Sequence, residues 1–157
     1  MSQEFQSEFI VITDTSCLIL LDKLDALIIL QKLYGDVITT PEIANEFGKA
    51  LPDWIEIRPV INKKLQDSYS KRVDLGEASA IALALELPSS LLILDDLKGR
   101  KLASQLNLKF TGTLGILISA KKQAIIPALK PYFEKILNTD FRIPSNLLQQ
   151  LLREFGE

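Results

Sequence analysis

Histidine is absent from this chain of 157 residues, and cysteine occurs only once, as Cys17. The first absence excludes a Ser-His-Asp triad, a histidine-containing zinc site and an imidazole general base. A single cysteine excludes an internal disulfide, and the neighbours Leu18 and Ile19 indicate a small core residue. Any chemistry must therefore use carboxylates and other oxygen ligands, which suit hard divalent ions such as Mg²⁺ or Mn²⁺.

Long apolar runs, internal repeats and low-complexity tracts are also missing. Stretches such as residues 78–87 are too short or too interrupted to cross a bilayer. The first residues contain an acid but no basic segment of the secretory type, so we expect a cytoplasmic protein without a membrane segment. A hydrophobic content of 47% is enough for a core, and one domain over residues 1–157 is the simplest organisation.

Strand-like and helix-like segments alternate along the chain. The strands are predicted at residues 9–13, 37–39, 90–94 and 108–110, with a short edge strand within 54–60. The helices are predicted at residues 16–33, 41–50, 62–72, 74–87, 98–106, 113–122, 127–137 and 145–155. This rhythm predicts an α/β fold, a three-layer α/β/α sandwich with a mainly parallel central sheet and C-terminal helices, about residues 127–155, packed on it.

Two of the predicted strands end in acidic residues. Asp14 follows the first strand, and Asp95 and Asp96 follow the strand at 90–94. The carboxyl ends of parallel strands meet at the edge where open α/β sheets bind ligands, so we expect these acids to share one crevice. Helix capping is the alternative interpretation, by Asp14 for the first helix and by one acid of the pair for the helix at Lys98.

Two acids on helices are placed to point at the same edge. Glu46 borders the apolar stripe of its helix, although a solvated position is the alternative there. Glu77 starts an apolar stripe but also ends a capping box that begins at Asp74. Metal binding by Glu77 is compatible with that motif only if Asp74 carries the cap. Gathering so many acids away from water is costly unless a divalent cation compensates their charge.

In the order and spacing of these residues the chain resembles a PIN domain. An Asp-Thr-Ser follows strand one, a Glu lies in the helix after strand two, an acid opens an alanine-rich helix, and an Asp follows the next strand. The segments 75–85, 94–103 and 111–117 resemble small VapC-like prokaryotic members in particular. The similarity extends from about residue 8 to residue 155.

The resemblance implies a metal-dependent ribonuclease that binds one or two Mg²⁺ or Mn²⁺ ions and an RNA substrate. Its catalytic and metal-binding set would be Asp14, Glu46, Glu77 and Asp96, with Asp95 as a neighbour or, after a one-residue shift, as the ligand. Glu77 stands where VapC toxins more usually have Asp. The expected substrate-binding residues are Ser16, Lys98, Arg100, Lys101, Thr111 and Thr113.

These substrate-binding residues also have structural interpretations. Lys98, Arg100 and Lys101 would contact RNA phosphates, or would form a solvated helix face. Thr111 and Thr113 flank Gly112; their hydroxyls and the free amides there would hold a phosphate, or one of them would cap the next helix. The net charge of −2 neither indicates nor excludes RNA, because local patches matter more than the sum.

The resemblance also implies a toxin of a toxin–antitoxin pair, with an antitoxin protein and a second copy as partners on the last two helices, where core packing is the alternative. The main alternative function is a catalytically silent PIN-fold module that binds RNA or a protein. A third interpretation, a phosphatase or phospho-acceptor domain, is disfavoured by the residues after Asp14. The segment Asp14-Thr-Ser lacks the second Asp, two positions on, that haloacid-dehalogenase-type hydrolases use.

Overall fold

The computed structural model describes residues 9–157. Within them, one parallel sheet has the strand order β3-β2-β1-β4-β5. Its strands are β1 (Ile10–Thr13), β2 (Val37–Thr39), β3 (Ile55–Ile57), β4 (Ser90–Ile93) and β5 (Lys109–Thr111). The helices of the same residues are α1 (Thr15–Lys23), α2 (Ile28–Tyr34), α3 (Pro41–Phe47), α4 (Lys63–Tyr69), α5 (Leu75–Glu86), α6 (Leu97–Gln105), α7 (Thr113–Lys122), α8 (Lys130–Leu137) and α9 (Ser145–Glu154).

The two central strands read as unbroken apolar runs because helices cover both of their faces. Ile12 of β1 pairs with Leu92 of β4, and both are fully buried. The edge strands contain more exposed residues, as Glu56 in β3 and Lys109 in β5 show. The expected edge position of the strand within 54–60 is therefore confirmed.

The helices flank the sheet in two contacting groups. On α5, small side chains such as Ala78 and Ala82 allow a close approach to β1 and β4, and α4 and α6 pack beside this helix. α1, α2 and α7 form the other group, in which α2 also contacts β2. This arrangement confirms the predicted α/β/α sandwich, and the sheet is entirely parallel within residues 9–157.

α3 links the two groups, because it contacts both α1 and α5. The Thr40 side chain caps α3 by accepting the Ile43 N–H at 3.2 Å. The Thr40 hydroxyl also lies 2.7 Å from the hydroxyl of Ser79 on α5, in a buried contact. This bond fixes α3 against α5 near the carboxyl edge of the sheet, and so sets the position of the acid that α3 carries.

The prediction of one helix over residues 16–33 is wrong, because the chain breaks it into α1 and α2. Asp25 has a left-handed φ of 53°. Its N–H bonds to the Asp22 carbonyl at 3.0 Å, and the Ala26 N–H bonds to the Leu21 carbonyl at 2.8 Å. These two bonds form a Schellman ending, which turns the chain before α2 begins. An aspartate takes the place that glycine usually occupies there, so the usual sequence signal is missing.

The other helix ends lie close to the predicted bounds. α3 stops at Phe47, before the predicted end at residue 50, because Gly48 adopts a left-handed φ of 74°. α8 starts at Lys130, three residues later than predicted. Among the described residues, no helix is both long and apolar enough to span a membrane.

Candidate metal centre

Asp14 lies at the carboxyl end of β1, beside β4, where the strand order reverses direction. This is the switch point at which open α/β sheets form a ligand crevice. The residue is 2% exposed, and its Oδ1 accepts the Cys17 N–H at 2.9 Å, which caps α1. Burial and the charge of Asp95 raise the pKa of Asp14 to about 7. Its Oδ2 has only a long contact of 3.5 Å from the Asp95 N–H, so this oxygen remains available to a ligand.

Asp95 connects the crevice to the start of α7. Its Oδ1 accepts the Thr113 N–H at 2.8 Å and its Oδ2 accepts the Thr113 hydroxyl at 2.5 Å. The expectation that Thr111 or Thr113 caps this helix is wrong, because Gly112 is the N-cap residue and neither threonine side chain bonds to the helix start. The cap comes instead from Asp95, a carboxylate 18 residues earlier in the chain. Thr113 therefore orients a candidate ligand.

Asp96 caps α6, as one acid of this pair was expected to do. Its Oδ2 accepts the Lys98 N–H at 3.0 Å and the Gly99 N–H at 3.4 Å. The Asp96 charge acts on Glu77 and contributes to the raised pKa of that residue. The adjacent pair is thus divided, since Asp95 interacts with Asp14 and Asp96 interacts with Glu77.

Glu77 lies in the first turn of α5 and is 7% exposed. Asp74 carries the cap, because its Oδ1 accepts the Glu77 N–H at 2.8 Å, and this is the condition under which metal binding by Glu77 is compatible with the capping box. Its Oε2 is buried and has no hydrogen-bond partner among the described residues. Burial and the charges of Asp74 and Asp96 raise the pKa of Glu77 to about 8. An unpartnered buried oxygen of this kind is costly without a ligand.

Glycine makes room for the Glu77 carboxylate. A Cβ atom at Gly99, in the first turn of α6, would lie only 2.6 Å from Glu77 Oε2. The absence of that atom lets α6 approach the start of α5, and Asp96 comes with it. The sequence signal is the Gly99 position itself, three residues after Asp96 and inside a helix, where glycine lowers stability unless a close approach requires it.

Glu46 reaches the crevice from α3 and is exposed to solvent. Its carboxylate lies beside Gly76 and the Thr15 hydroxyl, since a Cβ atom at Gly76 would collide with Glu46 Oε1. The pKa of Glu46 is raised, first by partial burial and then by the charge of Asp74, although contacts with the Gly76 N–H and Thr15 hydroxyl oppose the shift. Glu42 lies apart from this group and accepts a bond of 2.6 Å from Gln66.

Asp74 is the residue that the sequence assigned only to capping. Its charge acts on Asp14, Glu46 and Glu77, and raises the pKa of each. Asp74 therefore acts electrostatically on both the Asp14 side and the Glu77 side of the predicted acids. The capping-box position was a signal of this role, because a residue just before α5 must lie at the same edge of the sheet as the other helix starts.

The predicted basic residues Lys98, Arg100 and Lys101 lie on α6, the helix that Asp96 caps. The Arg100 Nε donates to the Leu94 carbonyl at 2.7 Å, and its guanidinium lies 5.4 Å from the centre of the Phe110 ring. Lys98 and Lys101 are exposed. None of the three forms an ion pair with an acid of residues 9–157. Their positive charges therefore remain available to an anionic ligand.

The two remaining predicted residues line separate clefts. Ser16, in the first turn of α1, lies in a cleft of about 230 Å³ together with Lys23 and Phe141. Thr111 lies in a larger cleft of about 520 Å³ that also contains Asp95 and Arg100. The structure thus distributes the predicted substrate-binding residues around the acids rather than in a single pocket.

A family model described as a PIN domain matches residues 10–157. The chain belongs to the PIN domain family. Neither a search of curated proteins nor a search of solved structures gave a significant match. The family-model match confirms the predicted resemblance to a PIN domain. PIN domains are generally nucleases, so the fold is a nuclease fold.

The acids of this PIN domain suit a hard divalent cation in their chemistry. Within residues 9–157, no group of three or more acidic or cysteine side chains is arranged to hold an ion. The donors are nevertheless carboxylate and hydroxyl oxygens, which Mg²⁺ and Mn²⁺ prefer. Glu77 Oε2 is a buried atom without a partner, and Asp14 Oδ2 has only a long contact. The donor chemistry of the described residues therefore fits such an ion, and either oxygen would gain a partner from it.

Proposed function

We propose that this PIN domain is a Mg²⁺- or Mn²⁺-dependent endoribonuclease that hydrolyses RNA phosphodiesters. The observation that carries the proposal is the burial of Asp14 and Glu77 at the ligand-binding edge of the sheet. Among residues 9–157, neither carboxylate forms an ion pair with lysine or arginine. Buried negative charges are unfavourable unless a cation compensates them. Burial accordingly raises the pKa of both residues.

Asp14, Glu46, Glu77 and Asp96 would hold the ion, with Asp95 and Asp74 adding negative charge around it. A bound Mg²⁺ or Mn²⁺ polarises a phosphoryl oxygen and lowers the pKa of a coordinated water. The chain itself holds the ligands in place. The Cys17 N–H fixes one Asp14 oxygen, and Thr113 fixes both oxygens of Asp95.

The basic residues would position the RNA backbone. Arg100 is held by the Leu94 carbonyl and the Phe110 ring, so its guanidinium is placed before a phosphate arrives. Lys98 and Lys101 supply exposed charges that orient the strand without reading its bases. Positioning of this kind places the scissile phosphate next to the carboxylates.

The test is cleavage of end-labelled single-stranded RNA by purified protein. We expect cleavage with Mn²⁺ or Mg²⁺, none in excess EDTA, and a loss of at least about 100-fold for Asp14→Asn. Asn is an N-cap residue as good as Asp, so this variant should keep α1. The matched control is Glu42→Gln, which changes an acid of α3 that lies outside the candidate site.

Two outcomes contradict the proposal in different ways. Equal cleavage by wild type and Asp14→Asn, or equal cleavage with and without EDTA, rejects the carboxylate–metal mechanism. Absence of cleavage with any RNA, while calorimetry still shows Mn²⁺ bound, rejects the nuclease and retains the metal centre.

The second candidate is a silent PIN-fold module that binds RNA or a protein. One observation favours it: Asp14, Asp95 and Asp96 all accept hydrogen bonds from N–H groups at helix starts. These bonds give the three acids a structural use that needs no metal. RNA binding without cleavage, unchanged by EDTA, would support this module.

We extend the first proposal to the toxin of a toxin–antitoxin pair, in which a homodimer binds an antitoxin protein. The support is the resemblance of segments 75–85, 94–103 and 111–117 to VapC-like proteins. Induced expression in a bacterial host should stop growth, and Asp14→Asn should relieve the arrest. Normal growth at high levels of the wild type would reject the toxin role and leave the nuclease proposal standing.

A further inference from the structure

We propose that the connection between α8 and α9, residues 139–144, forms one wall of a subsite for an unpaired RNA nucleotide beside the acidic residues. The choice of RNA as the ligand rests on the proposed function. The location rests on two clefts that share Phe141 as a lining residue. Nothing in the predicted site included this connection.

The larger cleft opens next to the candidate metal centre. It has a volume of about 520 Å³, runs from Asp95 and Arg100 to the connection, and falls in the size range of small-ligand pockets. The smaller cleft contains Ser16, in the first turn of α1. α1 begins after Asp14 and α7 begins beside Asp95, so the connection lies next to the starts of both helices. A strand that places its phosphate at the acids would meet this wall with the adjoining nucleotide.

Two guanidinium groups give the larger cleft the chemistry of phosphate recognition. The Arg100 Nε donates a hydrogen bond to the Leu94 carbonyl, so the Nη groups can donate to another acceptor. Arg142 lies on the connection, is exposed, and has no ion pair among residues 9–157. Guanidinium groups bind phosphate oxygens well, so a cleft lined by two of them suits a phosphate better than a purely apolar peptide.

An aromatic ring completes the subsite. The Phe110 ring lies under the Arg100 guanidinium, whereas no cation–π contact within residues 9–157 covers the half-buried Phe141 ring. Ile143, Pro144 and Leu147 extend the apolar wall beside it. A nucleobase can stack on such a ring while its phosphate meets the arginines, which is the usual combination in sites for single-stranded nucleic acid.

The test measures binding of fluorescein-labelled oligouridylate and oligoadenylate by anisotropy in EDTA, where no cleavage is needed. Phe141→Leu keeps apolar bulk but removes the ring, and should weaken binding about fivefold or more, whereas Phe141→Tyr should bind like the wild type. Arg142→Ala should lower the slope of log affinity against log salt by about 0.7, since one phosphate contact is lost. The control Arg153→Ala, an exposed arginine of α9 outside the cleft, should leave affinity and slope unchanged.

The subsite is overturned if Phe141→Leu binds as tightly as Phe141→Tyr, or if Arg142→Ala behaves like Arg153→Ala, with thermal unfolding showing that all variants are folded. Absence of binding of either oligonucleotide to the wild type also overturns the subsite, and a peptide would then be the alternative ligand of the cleft. Loss of binding in the variants of a protein that never cleaves RNA supports the subsite and rejects only the nuclease. Failure of the two proposals is therefore distinguishable.

Discussion

Asp14 shows that one carboxylate can serve the fold and the candidate site together. One of its oxygens caps α1 through the Cys17 N–H, and the other faces the Asp95 N–H at 3.5 Å. Because asparagine can replace the cap but not the negative charge, a variant at this position separates the two uses. Glu77 differs from Asp14 because it does not cap its helix. Asp74 caps α5, and the Glu77 oxygen Oε2 is unpartnered among the described residues.

Gly99→Ala should weaken Mn²⁺ binding several-fold with little change in stability. The added Cβ would lie 2.6 Å from Glu77 Oε2, so the carboxylate must move away from its observed position. Calorimetric titration with Mn²⁺ measures the loss, and thermal unfolding measures the stability. Alanine is otherwise favoured over glycine inside a helix, which limits the structural cost.

The matched control for that variant is Ser104→Ala, an exposed position of the same helix. It should leave Mn²⁺ affinity unchanged. If Gly99→Ala binds Mn²⁺ as tightly as the wild type, Glu77 is not a ligand and its burial has another cause.

At the scale of elements, the turn between α1 and α2 depends on the left-handed residue Asp25, whose φ is 53°. Asp25→Gly should raise the free energy of unfolding by about 0.5 kcal/mol, and Asp25→Ala should lower it by about 1 kcal/mol, because glycine adopts this conformation without strain. Urea denaturation measures both. Equal stability of the two variants would show that the Schellman ending does not limit the fold.

The sequence was informative about strands and about the acids that follow them, because both depend on local patterns. Apolar runs bounded by Asp14 and Asp95 predicted the parallel sheet and its carboxyl edge correctly. The break near Asp25 was missed because its signal, a residue with positive φ, is normally carried by glycine. The bond between Asp95 and Thr113 joins residues 18 positions apart in sequence, and no local pattern could predict it.

Local sequence patterns also did not predict which acids lie near one another. The predicted topology suggested one crevice for all of them, and the resemblance left open which member of the Asp95–Asp96 pair was the ligand. In the structure the two adjacent acids have different partners. Asp95 caps α7, whereas Asp96 caps α6, and the two helices begin at different places. Asp74 connects the two sides through space, and its own neighbours in sequence predicted only a cap.

For the whole molecule, the raised pKa values predict how stability depends on pH without metal. Asp14 titrates at about 7 and Glu77 at about 8 in the folded protein, against ordinary values of 3.8 and 4.5. Between those limits the folded state binds more protons than the unfolded state, so this contribution to stability is present below about pH 4 and is lost as the pH rises through 7 to 8. Urea denaturation at a series of pH values measures the decline, which should be smaller in Glu77→Gln.

Mn²⁺ should oppose this decline. At a concentration of about 100 Kd the ion stabilises the folded state by about 2.7 kcal/mol, and the gain should be larger at pH 8 than at pH 5, where protons compete for the carboxylates. Thermal unfolding with and without Mn²⁺ measures the effect. A gain that is the same at both pH values, or the same in Asp14→Asn, would place the bound ion elsewhere on the molecule.

The short borders of the sheet limit how this protein can associate. β3 and β5 each contain three residues, and charged side chains, Glu56 and Lys109, lie on them. So small a row of free backbone groups offers little to an incoming chain, and charge discourages it further. Recruitment of a partner by strand addition is therefore disfavoured, which leaves helix surfaces and loops as the places where another macromolecule can dock.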